Sequence, residues 1–151
     1  MSVVDDLKAQ INAGRIVFDP PTTKSQRLRR ELLGQNDGTK VTESLQELVL
    51  ELSRRAKIRI SDLVRDGAGS FHTKGRAVDV GNEDIAASLL PGIATDEMVE
   101  ELNIDELIFD ASVAGKANRN EWNFDQGEKH NFNAVTLNQH KNHIHFAVKA
   151  D

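Results

Sequence analysis

A change of hydrophobic period near the middle of the chain limits the possible folds more than any other feature. Leu45, Leu48, Val49 and Leu52 fall at i, i+3, i+4 and i+7, so a helix places them on one face. Thr42 is a good N-cap for that helix, with Glu43 in its first turn. A few residues later Ile58 and Ile60 alternate with Lys57 and Arg59, the period of a half-buried strand. A helix that must bury one stripe, followed at once by a strand that must bury one face, predicts helix packed on sheet.

The remaining segments extend this pattern. Residues 3–13 read as a short amphipathic helix stopped by Gly14, with Asp5 and Asp6 in its first turn. Arg15 to Phe18 read as a brief strand. The basic run of Lys24, Arg27, Arg29 and Arg30 reads as a solvated helix face. Arg76 to Val80 predicts a strand with Val78 and Val80 on one face and Ala77 and Asp79 on the other. Helices are expected near 83–90 and 95–102, separated by Pro91-Gly92, then a short strand at Leu107-Ile108-Phe109. Residues 111–133 read as a long polar loop, and Val135 to Leu137 and His143 to Val148 as closing strands. Asp66 to Gly69 reads as a flexible connection. The expectation is one α+β domain over 1–151, an antiparallel sheet flanked by helices. Residues 1–40 would be an amino-terminal helical and loop region, and 41–151 would hold the sheet and the site.

Composition narrows the function. The 151 residues, 38% hydrophobic and 28% charged, suit a single folded domain, for which area scaling predicts a surface of roughly 7,600 Å². With no cysteine, disulfides, thiolate metal sites and a cysteine nucleophile are excluded. A net charge of −5 argues against a nucleic-acid binder, and no apolar stretch approaches the roughly 18 residues of a membrane span. Met1 to Asp6 lack the basic and apolar regions of a secretory signal, so cytoplasmic synthesis is expected, with any release to a cell wall by a non-classical route. A monomer is expected.

The chemistry concentrates in two places. Three of the five histidines fall within His140-Lys141-Asn142-His143-Ile144-His145, where strand spacing sets His143 and His145 on one face. Two imidazoles side by side are hard to explain as packing. Upstream, Ser70-Phe71-His72-Thr73-Lys74-Gly75-Arg76-Ala77-Val78-Asp79 sets a carboxylate inside an apolar strand, a costly placement unless it is paired or metal-bound. A catalytic zinc takes three His, Asp or Glu ligands and keeps one position for water. His72, Asp79 and one histidine of the C-terminal pair supply that set. Asp79 paired with Arg76, and His72, His130 and His140 as ordinary polar residues, are the plainer readings.

The pattern Ser70-x-His72-x-x-Gly75-x-Ala77-x-Asp79 with His143-x-His145 resembles the signature of the LAS-type zinc peptidases. That group includes D-Ala-D-Ala carboxypeptidases and dipeptidases, murein endopeptidases and phage endolysins, and hedgehog amino-terminal domains share its fold. The resemblance is dense over 58–81 and 142–151 and thin elsewhere; within it, 71–80 and 143–151 are especially hedgehog-like. It implies zinc bound by His72, Asp79 and His145. It further implies Ser70 supporting the site by hydrogen bonding, a turn at Gly75, clearance at Ala77 and substrate binding by Arg65.

Many relatives place a carboxylate base a few residues before the last zinc histidine, where this chain has Gln139 and Asn142. The His-x-x-His-x-His spacing of murein endopeptidases is reproduced by His140, His143 and His145. The expected base is therefore His140, with Asp110 as the alternative and His143 stabilising the oxyanion. The resemblance implies hydrolysis of peptidoglycan stem peptides or cross-links next to a D-amino acid. Lys116, Arg119, Lys129 and Lys141 could meet substrate carboxylates, though each reads more simply as a solvated side chain. The rival expectation is a hedgehog-like binding module that keeps zinc without turnover. A hedgehog-type calcium site is not expected, since the acidic loop it needs is absent around Asp66 to Gly69.

Overall fold

The computed structural model describes residues 2–65, 67 and 69–151. The helices are α1 (Val3–Asn12), α2 (Thr22–Leu32), α3 (Glu43–Arg55), α4 (Ala86–Ile93), α5 (Asp96–Glu101) and α6 (Ala134–Asn138). The strands are β1 (Ile16–Phe18), β2 (Ile58–Asp62), β3 (Ala77–Val80), β4 (Ile104–Ile108), β5 (Phe124–Asp125), β6 (Glu128–Lys129) and β7 (Ile144–Val148). They form one seven-stranded sheet in the order β1-β2-β3-β7-β4-β5-β6. The fold is single-domain α+β, and its exposed surface of 7419 Å² agrees with the area scaling.

The period change works as expected. Thr42 Oγ1 accepts the Leu45 N–H at 3.2 Å, and Leu45, Leu48, Val49 and Leu52 are fully buried. They share a core with Ile58, Ile60, Val78, Val80, Leu107 and Phe146 from the sheet. Burying each such side chain contributes about 1.5–3 kcal/mol, so this face holds the fold together. The residues that alternate with them along β3, β7 and β4 are turned to the opposite face, where the candidate site lies.

Several expectations are corrected. The sheet is mixed, because β1 runs parallel to β2 while every other pair is antiparallel. Within the first forty residues lie α1, α2 and the short strand read at Arg15 to Phe18, which joins the sheet as β1. Pro91-Gly92 does not split two helices; Pro91 lies inside α4, and the break comes at Thr95, which caps α5 by accepting the Met98 N–H. The carbonyl that Pro91 leaves without a donor belongs to exposed Ala87, so water can take its place.

Residues 111–133 are also more than a loop. They hold a 3₁₀ turn (Ala111–Ala114) and the β5–β6 hairpin, whose two-residue turn has φ of 53° at Gln126 and 76° at Gly127. Trp122 and Phe124 anchor it in the core. Val135 to Leu137 form a helix instead of a strand, because Asn133 Oδ1 caps it through the Thr136 N–H at 2.9 Å. The connection read at 66–69 lies partly outside the described residues.

Candidate metal centre

The two central strands meet at the site. β3 and β7 are antiparallel, with Asp79 opposite His145 and Ala77 opposite Ala147. Val78 and Val80 point into the core, so the period of two sends Asp79 to the other face beside His145. Ala77, with no side chain beyond Cβ, leaves that face clear next to Asp79.

His72 arrives from the 3₁₀ turn (His72–Lys74) before β3. Ser70 fixes that turn, its Oγ accepting the Thr73 N–H at 3.2 Å while Thr73 Oγ1 donates back to the Ser70 carbonyl at 2.7 Å. Gly75 closes it at φ 70°, where a Cβ would lie 2.2 Å from the Lys40 carbonyl oxygen. Only glycine fits there. Arg76 does not pair with Asp79; its guanidinium stacks over Phe71 at 4.9 Å.

The three side chains converge. His72, Asp79 and His145 are all buried, and their ligand atoms lie within 4.8 Å of one another. His72 Nδ1 is 2.7 Å from the Leu63 carbonyl, which only accepts, so Nδ1 carries the proton and Nε2 the lone pair. That Nε2 is buried without a hydrogen-bond partner, 3.3 Å from Asp79 Oδ2. A lone pair facing a carboxylate oxygen is unfavourable until a cation lies between them. The donor set of two imidazoles and a carboxylate therefore fits a metal ion.

His145 sits between two carboxylates, with Nδ1 3.0 Å from Asp79 Oδ1 and Nε2 3.0 Å from Glu106 Oε1. Burial opposes its charge, but the hydrogen bonds to Asp79 and Glu106 outweigh it and raise its pKa to about 9. Burial likewise opposes ionisation of Asp79, yet the hydrogen bond and charge of His145 hold it well below the usual carboxylate range. The site thus keeps its carboxylate charged and brings a cation to it.

Glu106 is the site residue that the sequence did not reveal. It lies on β4, two residues before Ile108, which pairs with His145. A register shift between Ile104 and Glu106 blurs the alternation that would have marked it. Its contact with the outer nitrogen of His145 is the usual arrangement by which a carboxylate orients a metal-binding imidazole.

These groups open into a cleft of about 350 Å³, with Arg65, Ser70, Glu106, His140 and His143 in its walls. His140 and His143 are half-buried, their ring centroids 5.0 Å apart, and His140 is 5.8 Å from His145. Strand β7 begins only at Ile144, so His143 precedes it. Burial pushes both imidazoles below their ordinary pKa, which leaves them neutral near pH 7. His140 Nδ1 donates to the Thr136 carbonyl at 2.6 Å and His143 Nδ1 to Asn142 Oδ1 at 2.9 Å, so each keeps a free acceptor at Nε2. Arg65 stands half-exposed at the rim, paired with Asp62 and 3.5 Å from Asp79.

Asp110 lies outside the cleft. It is fully buried, and it accepts from Arg119 at 2.8 Å and from the Ser112 hydroxyl at 2.7 Å. Burial alone would raise its pKa, but these donors hold it at about 2. Arg119 is thereby taken up in a structural pair. Lys129 donates to the carbonyls of Asn120 and Glu121, and Lys116 stands 5.8 Å over the Trp122 ring. Of the four cations near the loop, Lys141 is the exposed one without such a contact among the described residues. His130 packs edge-on against Phe132 away from the site. Among the described residues, no helix is long and apolar enough to cross a membrane. The comparisons with known proteins found no matching family model, no matching curated protein and no matching solved structure.

Proposed function

We propose that this protein is a zinc metallopeptidase that hydrolyses peptidoglycan stem peptides or cross-links at a bond next to a D-amino acid. The observation that carries the reading is the buried, unpartnered Nε2 of His72 against Asp79, beside His145 in an open cleft. His72, Asp79 and His145 would hold the ion, three ligands of the kind a catalytic zinc takes. Zinc supplies polarisation of the scissile carbonyl and acidifies the attacking water. The substrate class rests on the two motifs, Ser70 to Asp79 and His143 to His145, and their likeness to the LAS-type peptidases.

The chain's own groups then divide the work. His140, neutral with Nε2 free, takes the water proton as its oxygen attacks the carbonyl carbon, and later delivers it to the leaving amine as the C–N bond breaks. His143 presents the same free nitrogen and becomes a donor to the developing oxyanion once protonated. Glu106 holds the His145 ring in place. Arg65 at the rim offers a fork for a substrate carboxylate. A second hollow of about 680 Å³ shares Arg65 with the cleft, which gives an extended substrate room to continue.

A zinc-retaining binding module without turnover is the second reading. The observation that favours it is that, among the described residues, the carboxylates lining the cleft, Asp79 and Glu106, are each tied to an imidazole, leaving neither free as a base. Incubating the zinc-loaded protein with purified peptidoglycan and weighing the released muropeptides tests both. Cleavage that a chelator stops and zinc restores is expected. Zinc-loaded protein that binds muropeptides and cuts none would establish the second reading instead.

A further inference from the structure

We infer that the ion pair of buried Asp110 with part-exposed Arg119 is a clamp that positions His140 in the cleft. The inference rests on the reading of His140 as the proton shuttle. His140 follows α6, a helix of five residues with Leu137 as its single buried side chain. So short a helix, with so little apolar surface to bury, cannot hold a side chain in one place by itself. The next residues, Lys141 and Asn142, are exposed, and firm anchorage resumes only at Ile144.

Asp110 ties this segment down from two sides. Its backbone N–H donates to the His140 carbonyl at 2.9 Å. Its carboxylate takes Arg119 Nη2 at 2.8 Å and Nε at 3.2 Å. The same Nη2 donates to Asn138 Oδ1 at 2.9 Å, two residues before His140. The Arg119 carbonyl in turn accepts the Ala111 N–H at 3.0 Å, which fixes Arg119 to the end of β4. The His140 ring is then aimed by its bond to the Thr136 carbonyl at 2.6 Å.

Desolvation of Asp110 offsets part of the attraction to Arg119, so the stability the pair adds is modest. What it supplies here is one geometry for a segment that lacks a core of its own. Asp110 and Arg119 are positioning residues: neither lines the cleft, and both act through His140.

Two variants of the full chain test the clamp. Arg119→Gln removes the pair, and Asn138→Ala cuts only the tie to α6 without leaving a buried charge alone. Nitrogen-15 spectra of the histidine rings should show the His140 signals moved or broadened in both, with those of His72 and His145 unmoved and zinc content unchanged. Muropeptide hydrolysis should lose between about tenfold and about a hundredfold in kcat with KM kept, as small misplacements do. Either substitution added to His140→Ala should cost nothing more, since the lost positioning has nothing left to act on. Should Arg119→Gln not fold, Asn138→Ala carries the test. Unmoved His140 signals in a folded variant, or losses that multiply with that of His140→Ala, would overturn the clamp. A wild-type protein that hydrolyses no muropeptide sinks the peptidase reading, while the ring spectra still decide this one.

Discussion

Two buried aspartates, one on and one just past the two strands that flank β7, are closed by opposite kinds of partner. Asp79, in the middle of β3, is 5% exposed, and Asp110, just past the end of β4, is 0% exposed. Both are held ionised against the cost of burial. Asp110 is surrounded by donors that cannot leave: a guanidinium, a hydroxyl and a backbone N–H. Asp79 is flanked by two imidazoles, one of which turns a lone pair toward it. A carboxylate closed by permanent donors is a structural joint. One closed by exchangeable protons can give them up to an ion, and only Asp79 is of that kind.

The contrast breaks most directly on metal content. Asp79→Asn and His145→Ala should take bound zinc from about one ion per chain to almost none, and with it the thermal stability the ion lends. His143→Ala should keep the zinc and the melting temperature but lose turnover. Elemental analysis and melting curves decide this, and equal zinc loss in the two histidine variants would indicate a four-ligand structural site. Next in size, His140→Ala should lower turnover about 10²–10⁴-fold with zinc retained. Asp110→Asn should cost less than His140→Ala, since Asp110 lies outside the cleft and acts only through the placement of His140.

A smaller effect is expected at Glu106. Glu106→Gln keeps the side chain's size and still offers an oxygen to His145 Nε2, but removes the charge that makes the imidazole a better ligand. Zinc affinity, measured by competition with a chromophoric chelator, should fall about 10–100-fold. An unchanged affinity would leave Glu106 with no part in holding the metal.

How far these roles can be read from sequence depends on the range of the force behind them. The α3 stripe and the β2 and β3 alternation are local patterns of period, and residue type and spacing marked His72, Asp79 and one of His143 and His145, so these were legible before any fold; the choice of His145 came from the family resemblance. Glu106 was not, because its meaning comes from a strand partner 39 residues away and from a register shift. The hairpin at Gln126-Gly127 hid in a polar stretch whose turn needed positive φ at a glutamine. At Val135 a β-branched residue suggested a strand, and the Asn133 cap overrode it. Asp110 was read as an alternative base at the end of a strand and not as Arg119's partner, since nothing in the sequence marks their pairing across the loop.

The smallest effect expected is an acid dependence of stability, and it isolates the structural aspartate from the metal site. The donors around Asp110 lower its pKa from 3.8 to about 2 in the folded chain. A group whose folded pKa is depressed stabilises the fold fully above its unfolded value and loses that contribution as pH falls through the folded one. The Asp110 contribution should therefore be complete above about pH 5 and gone below about pH 2, and a displacement of this size is worth about 2 kcal/mol. Other carboxylates titrate over the same range, so the test is a difference. Denaturant unfolding of wild type and Asp110→Asn should show a stability gap near pH 6 that narrows by about 2 kcal/mol on approaching pH 2. A gap that stays constant with pH would mean that Arg119 holds the neutral and the ionised side chain equally well. Asp110 would then be a hydrogen-bonded joint whose charge does not matter, and the electrostatic half of its contrast with Asp79 would fall.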